Sequence, residues 1–236
     1  PPKRVWNMKT HNAETYGTNV LNAMIGKRFN YPKSLYAVQD TLRFFVANKP
    51  NALIVDFFAG SGTTLHAVNL LNAEDGGHRR CILVTNNEVS ADEAKTLSAQ
   101  GYQPGDPEWE QYGIARYVTW PRTVCSIEGH DVNGKPLKGD YITSGEEPMH
   151  MADGFKANAA FFKLGFLDKN AVALGRQFKE LLPVLWLKAG AHGPCPSLEE
   201  AAEMPAMLVL PENHFAVLTN ESQYETFATQ VNIEDA

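Results

Sequence analysis

The sequence has 236 residues, enough for one large domain or two small ones with a sizeable core. Hydrophobic residues make up 44% and charged residues 20%, which is typical of a soluble globular protein, and no apolar run is long enough to span a membrane. The three cysteines are far apart and form no ligand pattern, which indicates a reducing compartment and argues against a zinc site.

The net charge of −6 is not typical of a whole DNA-binding protein. The charge is unevenly distributed, because the first 50 residues hold eight basic and only two acidic side chains. This basic segment could face phosphates, or it could be an ordinary solvated surface. The charge pattern leaves both interpretations open.

Two helices are predicted in the N-terminal region. A short helical pattern covers Gly17–Ile25. A second helix starts near Pro32, since proline is pre-organised for a first helical turn. Its apolar residues recur at helical spacing, at Leu35, Val38, Leu42 and Phe45.

Residues 51–71 predict a strand, a glycine turn and a helix. The buried parallel strand is Ala52–Phe57, and the helix covers Thr63–Asn72. In open α/β sheets, ligands bind at such a junction, outside the carboxyl ends of the strands. Glycines let a ligand approach the backbone, and the free N–H groups of the first helical turn face it.

The common nucleotide-binding loops do not fit this junction. A phosphate-binding loop of the Walker A type needs a lysine after its last glycine, and none follows here. A dinucleotide fingerprint needs a third glycine, where Leu65 stands. Asp56 at the strand end would repel a pyrophosphate and suits a ligand that offers a cationic group or hydroxyls. The alternative is a generic glycine turn that binds nothing.

A second buried strand is predicted at Cys81–Thr85, and a helix with a capping signature follows at Ser90–Ala99. Residues 108–127 indicate one or two helices interrupted at Pro121. His66, in the helix after the glycine turn, is interpreted as a packing or surface residue and not as a catalytic base.

The remainder of the chain predicts mixed helices and strands. The predictions in chain order are an Asn-Gly hairpin at 131–136, a strand at 154–164, a helix at 171–188, a loop with a short acidic helix at 190–204, a strand at 215–218 and a helix at 221–229.

The string Asp-Phe-Phe-Ala-Gly-Ser-Gly-Thr-Thr at 56–64 resembles motif I of the DNA amino-methyltransferases, which bind S-adenosylmethionine. About twenty residues earlier, Phe29, Pro32 and Lys33 match motif X of the same families, a Phe-x-x-Pro-Lys before a helix. In the permuted β-class enzymes the catalytic motif and target-recognition region come first, and motifs X and I come last. The chain is therefore similar to the C-terminal part of a β-class enzyme, and especially to type III modification subunits.

The resemblance implies a set of cofactor-binding residues. Asp56 would anchor the methionine end of S-adenosylmethionine, and Thr63 and Thr64 would cap the helix and donate to the carboxylate. An acid usually holds the ribose after the second strand, but Thr85 or Asn86 stands at that position, so Asn87 or Glu88 would take this role. The full predicted set is Phe29, Pro32, Lys33, Asp56, Phe57, Phe58, Ala59, Gly60, Ser61, Gly62, Thr63, Thr64, Asn87 and Glu88.

The catalytic motif of these enzymes, [DNS]-P-P-[YFW], is missing from this chain. Neither Pro1-Pro2-Lys3 nor Asp106-Pro107-Glu108 fits it, and Pro194-Cys195-Pro196 is better interpreted as a loop thiol than as a cytosine-C5 motif. No catalytic residue and no metal ligand is therefore predicted. Either the catalytic part precedes this sequence in a longer enzyme, or the chain is a non-catalytic module that binds the cofactor or a partner subunit.

The expected fold is α/β, with a Rossmann-like methyltransferase sheet flanked by helices and a mixed α+β C-terminal extension. The expected domains are a connecting segment (1–28), a cofactor-binding domain (29–165) and the extension (166–236). The expected function is site-specific methylation of adenine N6, with cytosine N4 as the alternative. Double-stranded DNA, a restriction subunit or a second copy are the expected partners, in the cytoplasm of a prokaryotic cell and away from membranes.

Overall fold

The computed structural model describes residues 5–173, 178–198 and 205–231. The chain divides into two compact units, Pro1–Phe161 and Phe162–Ala236. Within the described ranges, helices alternate with three small sheets of two strands each, as expected for the α/β class. None of the described helices is both long and apolar enough to cross a membrane.

The N-terminal region packs through a close backbone approach. A π-helical turn, Glu14–Thr18, leads directly into α1 (Asn19–Ile25), which confirms the predicted helix and begins it earlier. Gly17 is buried here, and a Cβ atom added to it would lie 2.6 Å from the carbonyl oxygen of Pro32. Only a residue without a side chain allows this contact.

Helix α2 (Leu35–Val46) begins three residues after Pro32, later than predicted. The reason is Ser34, whose extended backbone and side chain cap the helix by accepting a hydrogen bond from Ala37 N at 3.3 Å. Leu35 is buried and packs in the core, as its spacing predicts, whereas Phe45, which recurs at the same spacing, is exposed.

The predicted strand–helix–strand unit is confirmed. Strand β1 (Leu53–Asp56) pairs in parallel with β2 (Arg80–Leu83), and α3 (Thr63–Asp75) connects them. Helix α3 is buried along most of its length. The four apolar side chains on the opposite face of the sheet, Leu53, Val55, Ile82 and Val84, are between 42 and 51% exposed. The prediction of fully buried strands was therefore wrong for one face.

Helical segments follow the sheet. Helix α4 (Ala91–Ala99) carries the predicted Ser90 cap, and a short α5 (Pro107–Glu110) comes next. A π-helical turn, Ala115–Thr119, then continues into α6 (Trp120–Glu128) without a break. The predicted interruption at Pro121 was wrong, because the helical backbone passes through Pro121, which is the second residue of α6 and follows directly after the π-helical turn.

The end of the first unit is mostly irregular. The predicted Asn-Gly turn is present, with an isolated bridge between His130 and Pro136 in place of flanking strands. A short antiparallel pair follows, β3 (Asp140–Tyr141) with β4 (Met149–His150). The predicted strand at 154–164 was wrong, because these residues have no strand partner.

Two apolar clusters form the core of the first unit, and α1, α2, α3 and α6 contribute to them. The first cluster consists of Leu21, Met24, Ile25, Val118, Cys125 and Leu137. The second cluster consists of Leu35, Tyr36, Ala67, Leu70, Tyr141 and Phe155. Because α3 packs against the second cluster, the turn that precedes α3 has a rigid support.

The second unit contains α7 (Lys169–Ala173), a 3-10 turn (Phe178–Leu181), α8 (Leu182–Lys188) and a hairpin. The hairpin pairs β5 (Met207–Leu210) with β6 (Phe215–Leu218), and α9 (Tyr224–Gln230) follows a 3-10 turn. The predicted strand at 215–218 and the helix after it are confirmed. Leu174, in the helix predicted at 171–188, lies outside the described residues, as do residues 199–204 of the loop and short acidic helix predicted at 190–204.

Replacing Gly17 by alanine should destabilise the first unit. The new Cβ atom would overlap the Pro32 carbonyl, and overpacking of this kind costs about 1–3 kcal/mol. The midpoint of thermal unfolding of the protein, measured by calorimetry, should fall clearly. Gly145→Ala is the matched control, since its Cβ would meet atoms only at ordinary contact distances of 3.9 Å or more. Equal midpoints for the two variants would contradict the close approach.

Candidate functional site

The glycine turn between β1 and α3 is held in a defined shape by backbone hydrogen bonds. Ala59 N donates to Val84 O at 3.2 Å, and Gly62 N donates to Ala59 O at 2.8 Å. Gly60 and Gly62 have positive φ angles of 52° and 76°, which side chains disfavour. The turn 57–62 thus lies beyond the carboxyl ends of both parallel strands, with the first turn of α3 facing it.

Asp56 is fixed at the strand end as a hydrogen-bond acceptor. Its Oδ2 accepts from Thr64 Oγ1 at 2.6 Å, and its Oδ1 accepts from Phe58 N at 3.1 Å. No lysine or arginine in the described residues forms an ion pair with it. A half-buried carboxylate with fixed orientation and no cation of its own is suited to hold a cationic group of a ligand.

The predicted capping roles of Thr63 and Thr64 were wrong. The N-cap of α3 is Gly62, which has no side-chain cap. Thr64 uses its hydroxyl on Asp56, and Thr63 Oγ1 accepts from Arg122 at 2.7 Å. The backbone N–H groups of the first turn have no intrahelical acceptor. Because neither hydroxyl caps them, they remain available to bind an anion.

Aromatic side chains border the turn. Phe57 and Phe58 are 68 and 92% exposed. The ring of Phe29 reaches the turn, since its Cζ lies 3.7 Å from the position that a Cβ on Gly60 would take. The structure thus brings Phe29 to the turn. Pro32 is buried nearby in the chain, and Lys33 is exposed.

The two residues assigned to the ribose differ in their surroundings. Asn87 Nδ2 donates to Glu110 O at 2.6 Å and to its Oε2 at 2.9 Å, and Asn87 Oδ1 accepts from Arg116 N. The Asn87 amide is therefore occupied by the segment after α4. Glu88 is exposed, and its carboxylate accepts only from Asn86 Nδ2 at 3.2 Å among the described contacts. Glu88 is thus the more available hydrogen-bond acceptor of the two.

A buried polar network, which the sequence patterns did not predict, lies beneath the turn. Arg122 Nη1 donates to Thr63 Oγ1 and, at 3.1 Å, to Ser61 Oγ. Its Nε lies 3.4 Å from His66 Nδ1, and His66 Nε2 lies 2.9 Å from Tyr141 Oη. The available signal was an arginine on an otherwise buried helix face, but its partners lie about 60 residues away in the chain.

The network fixes the protonation of His66. Burial first, and then the positive charge of Arg122, hold the pKa of His66 well below its ordinary value of 6.5. His66 Nδ1 therefore accepts from the guanidinium, and Nε2 donates to Tyr141. Burial also lowers the pKa of Arg122 to about 10, so that the guanidinium stays charged at neutral pH.

The cysteines are not activated as nucleophiles. Burial, and then the charge of Asp56, raise the pKa of the Cys81 thiol to about 12. Burial raises the pKa of Cys125 to about 11 and also raises that of Cys195. Thiols with raised pKa values stay protonated at neutral pH and react slowly. Within the described ranges, no group of three or more acidic, histidine or cysteine side chains could hold a metal ion.

A cleft of about 530 Å³ lies away from the glycine turn, along the N-terminal segment. Its lining consists of Trp6, Asn7, Met8, Lys9, His11, Asn12, Thr15 and Tyr16. The cleft is open to solvent and lacks the strand-end position where α/β sheets bind ligands. The carboxylate, the glycines and the free N–H groups at the turn make the turn, and not this cleft, the candidate site.

Comparison with known proteins gives a family match that includes the glycine turn and three similar proteins. Residues 1–96 match the N6/N4 DNA methylase family. The Mod subunit of the StyLTI type III restriction-modification enzyme of Salmonella typhimurium is 34% identical over 212 residues, 81% of this chain and 31% of that protein. The EcoPI Mod subunit of Escherichia phage P1 is 34% identical over 102 residues, 43% of this chain and 15% of that protein.

The type II methyltransferase M.KpnI of Klebsiella pneumoniae is 41% identical over 86 residues, 36% of this chain and 20% of that protein. The chain thus spans between 15 and 31% of the length of these relatives. The predicted similarity to site-specific DNA amino-methyltransferases, and to type III modification subunits in particular, is confirmed.

The neutral state of His66 predicts a pH dependence of stability. The unfolded chain takes up a proton at the ordinary pKa of 6.5, whereas the folded state takes it up only at a lower pH. Stability from this group is complete above pH 6.5 and falls as the pH drops below it, by up to about 1.4 kcal/mol per pH unit.

The measurement is the unfolding midpoint of the complete polypeptide and of its His66→Gln variant between pH 8 and pH 5. The wild type should lose stability relative to the variant in the acid part of this range. The pKa of His130 is raised first by a hydrogen bond with the backbone carbonyl of Asp131, and that of His150 by a hydrogen bond with the Asp140 carboxylate. Both histidines are present in both proteins, so their effects cancel in the difference. If the difference in stability between the two proteins does not change with pH, folding does not lower the pKa of His66.

Proposed function

We propose that this chain, which is similar to DNA methylases and to type III modification subunits, is the S-adenosylmethionine-binding part of a site-specific DNA methyltransferase. The observation that carries the proposal is the fixed acceptor Asp56 at the end of β1, next to a glycine turn and the free N–H groups of α3. This arrangement lies within the residues that match the family.

The side chains at the turn fit the chemistry of this cofactor. S-adenosylmethionine carries an ammonium group, a carboxylate and a purine, and it supplies a methyl group activated by a positive sulfur. Asp56 would accept hydrogen bonds from the ammonium group, directly or through water, and the N–H groups at the start of α3 would hold the carboxylate. Phe29, Phe57 and Phe58 would provide apolar contact, and Glu88 or Asn87 would accept from the ribose hydroxyls.

The remaining predicted residues keep supporting roles in this proposal. The backbone from Phe57 to Gly62, including Ala59, Gly60 and Ser61, would surround the methionine end. Pro32 and Lys33 would close the wall opposite the turn, together with Phe29. Thr64 would act through Asp56, because its hydroxyl already donates to that carboxylate.

The catalytic part would be supplied by other residues of a longer enzyme. The [DNS]-P-P-[YFW] motif, which accepts hydrogen bonds from the target amino group, is not in this sequence. Two observations support this proposal. The chain spans only a small part of the length of its relatives, and the apolar face of β1 and β2 is exposed. Such a face is normally covered in parallel sheets, so further strands and helices of a Rossmann-like sheet would extend and cover this one.

The proposed reaction is methyl transfer to adenine N6, with cytosine N4 as the second chemistry that the same motifs serve. The enzyme's residues would position the acceptor nitrogen in line with the methyl group and stabilise the positive charge that develops on it. Double-stranded DNA is the proposed substrate, and a restriction subunit or a second copy is the proposed partner. The proposed location is the cytoplasm of a prokaryotic cell.

The absent catalytic motif favours one alternative, a non-catalytic module that binds the cofactor or a partner subunit. The coding sequence upstream of Pro1 distinguishes the two functions. An open reading frame with a motif like Asp-Pro-Pro-Tyr would support the enzyme, and an upstream frame without it would support the module.

The isolated 236-residue chain should bind S-adenosylmethionine weakly or not at all in calorimetric titration. The reason is that one wall of the site, and the cover of the sheet, would come from elsewhere in the enzyme. The complete polypeptide should bind the cofactor under the same conditions. Tight binding by the isolated chain, together with methyl transfer to DNA, would contradict the proposed division of the enzyme.

Asp56→Ala in the complete polypeptide should reduce photochemical cross-linking of S-adenosylmethionine by at least roughly tenfold, the scale of one hydrogen bond to a charged group. DNA binding, measured by gel shift, should change little, since Asp56 lies at the cofactor turn. Asp92→Ala, an exposed acid in the first turn of α4, is the control and should change neither measurement. Unchanged cross-linking in the Asp56 variant would remove this residue from the site.

A further inference from the structure

The guanidinium of Arg122 lies directly beneath the glycine turn and has no exposed surface. Its Nη1 reaches Thr63 Oγ1 at 2.7 Å, Ser61 Oγ at 3.1 Å and Ser61 O at 3.3 Å. Its Nε and Nη2 both lie 3.4 Å from His66 Nδ1. One side chain of α6 therefore holds both ends of the sequence Ser61–Thr63 and the first turns of α3.

All of these acceptors are electrically neutral. Two are hydroxyls, one is a backbone carbonyl, and the fourth is the neutral ring of His66, whose pKa is depressed by burial and by Arg122 itself. Tyr141, at the far end of the network, has its pKa raised by burial and stays a neutral phenol. Among the described residues, no carboxylate lies within ion-pair distance of Arg122.

A buried charge without a counter-charge is unusual. Removing an ion from water is expensive unless it is paired, and buried arginines normally pair with acids. The same chain follows that rule elsewhere, because the buried Arg79 pairs with Asp75 at 2.9 Å and donates to two backbone carbonyls. Arg122 differs from Arg79 in having hydrogen bonds without a negative partner.

A negative charge that compensates Arg122 could be supplied by a ligand bound at the N-terminus of α3. The N–H groups of Thr63, Thr64 and Leu65, in the first turn of α3, have no acceptor among the described contacts and carry the positive end of the helix dipole. A carboxylate bound there would be stabilised by these groups and by the guanidinium behind them, where burial weakens screening by water. Asp56, on the same turn, offers the opposite charge for an ammonium group.

We propose that Arg122 is a positioning residue that fixes the glycine turn from below and makes the site selective for ligands that carry a carboxylate. This inference rests on the proposed function, because S-adenosylmethionine and its product S-adenosylhomocysteine both carry a carboxylate next to an ammonium group. The carboxylate of the ligand then lies nearer Arg122 and its ammonium group nearer Asp56, which fixes the orientation of the amino acid end of the ligand. Arg122 does not touch the ligand and acts through Ser61–Thr63 and through its charge.

The experiment compares two probes that differ only in the carboxylate. The probes are S-adenosylhomocysteine and its decarboxylated analogue, S-adenosyl-3-thiopropylamine. Their dissociation constants are measured by calorimetry on the complete polypeptide, and thermal melting monitors the fold. The wild type should prefer S-adenosylhomocysteine, and the ratio of the two constants is the quantity to follow.

Arg122→Gln keeps an N–H donor for Ser61 or Thr63 but removes the charge. We expect the preference ratio to fall by roughly ten- to a hundredfold, as expected for one charge acting through a partly buried path, with little change in affinity for the decarboxylated probe. Arg122→Lys keeps the charge and should retain most of the ratio even if its melting temperature falls. Arg116→Met, an exposed arginine on the preceding π-helical turn, is the control and should keep the wild-type ratio.

Arg122→Gln and Arg122→Lys each test the role of Arg122 independently, so the inference can still be tested if one of the two variants does not fold. A folded Arg122→Gln protein with the wild-type ratio, equal losses for both probes, or a folded Arg122→Lys protein without the preference would each overturn the inference. A wild type that binds neither probe would instead contradict the proposed function. These outcomes separate the role of Arg122 from the identity of the enzyme.

Discussion

The contact on which the site depends is the set of hydrogen bonds between the Arg122 guanidinium and the backbone and hydroxyls of the glycine turn. The turn reverses the chain between a strand and a helix within six residues, and two glycines with positive φ give it little stiffness of their own. A backbone bond from Ala59 N ties the turn to Val84, directly after β2, and Thr119 Oγ1 donates to Gly60 O at 2.6 Å. Arg122 adds the link to α6, so three elements determine one short loop.

The strand–turn–helix unit could be predicted because its signals are local. Four apolar residues, a carboxylate and two glycines lie next to one another in sequence, and the helix that follows is buried as its apolar content indicates. Phe29, in the segment that resembles motif X, lies close to the turn that resembles motif I, as the short spacing between the two segments indicates. These features depend on neighbours in the chain, and sequence patterns carry such information well.

The parts that sequence reasoning missed depend on distant neighbours. Arg122 was given no role because its acceptors are about 60 residues away, although it lies on an otherwise buried helix face. Pro121 was interpreted as a break, although the helical backbone passes through it. The strand expected at 154–164 had suitable residues but no partner strand. The bonds from Asn87 Nδ2 to Glu110 of α5 also join residues that are 23 positions apart in the chain.

The position of Arg122 in the chain also has a consequence for the order of folding during synthesis. The ribosome makes β1, the turn, α3 and β2 as one contiguous segment, whose contacts are local and can form quickly. Arg122, the donor to Ser61 and Thr63, follows 61 and 59 residues later in the chain. The two hydroxyls and the Ser61 carbonyl therefore remain hydrated until α6 has been synthesised. The glycine turn can therefore form these bonds only after α6 has been synthesised, and a nascent chain that stops before α6 would lack them.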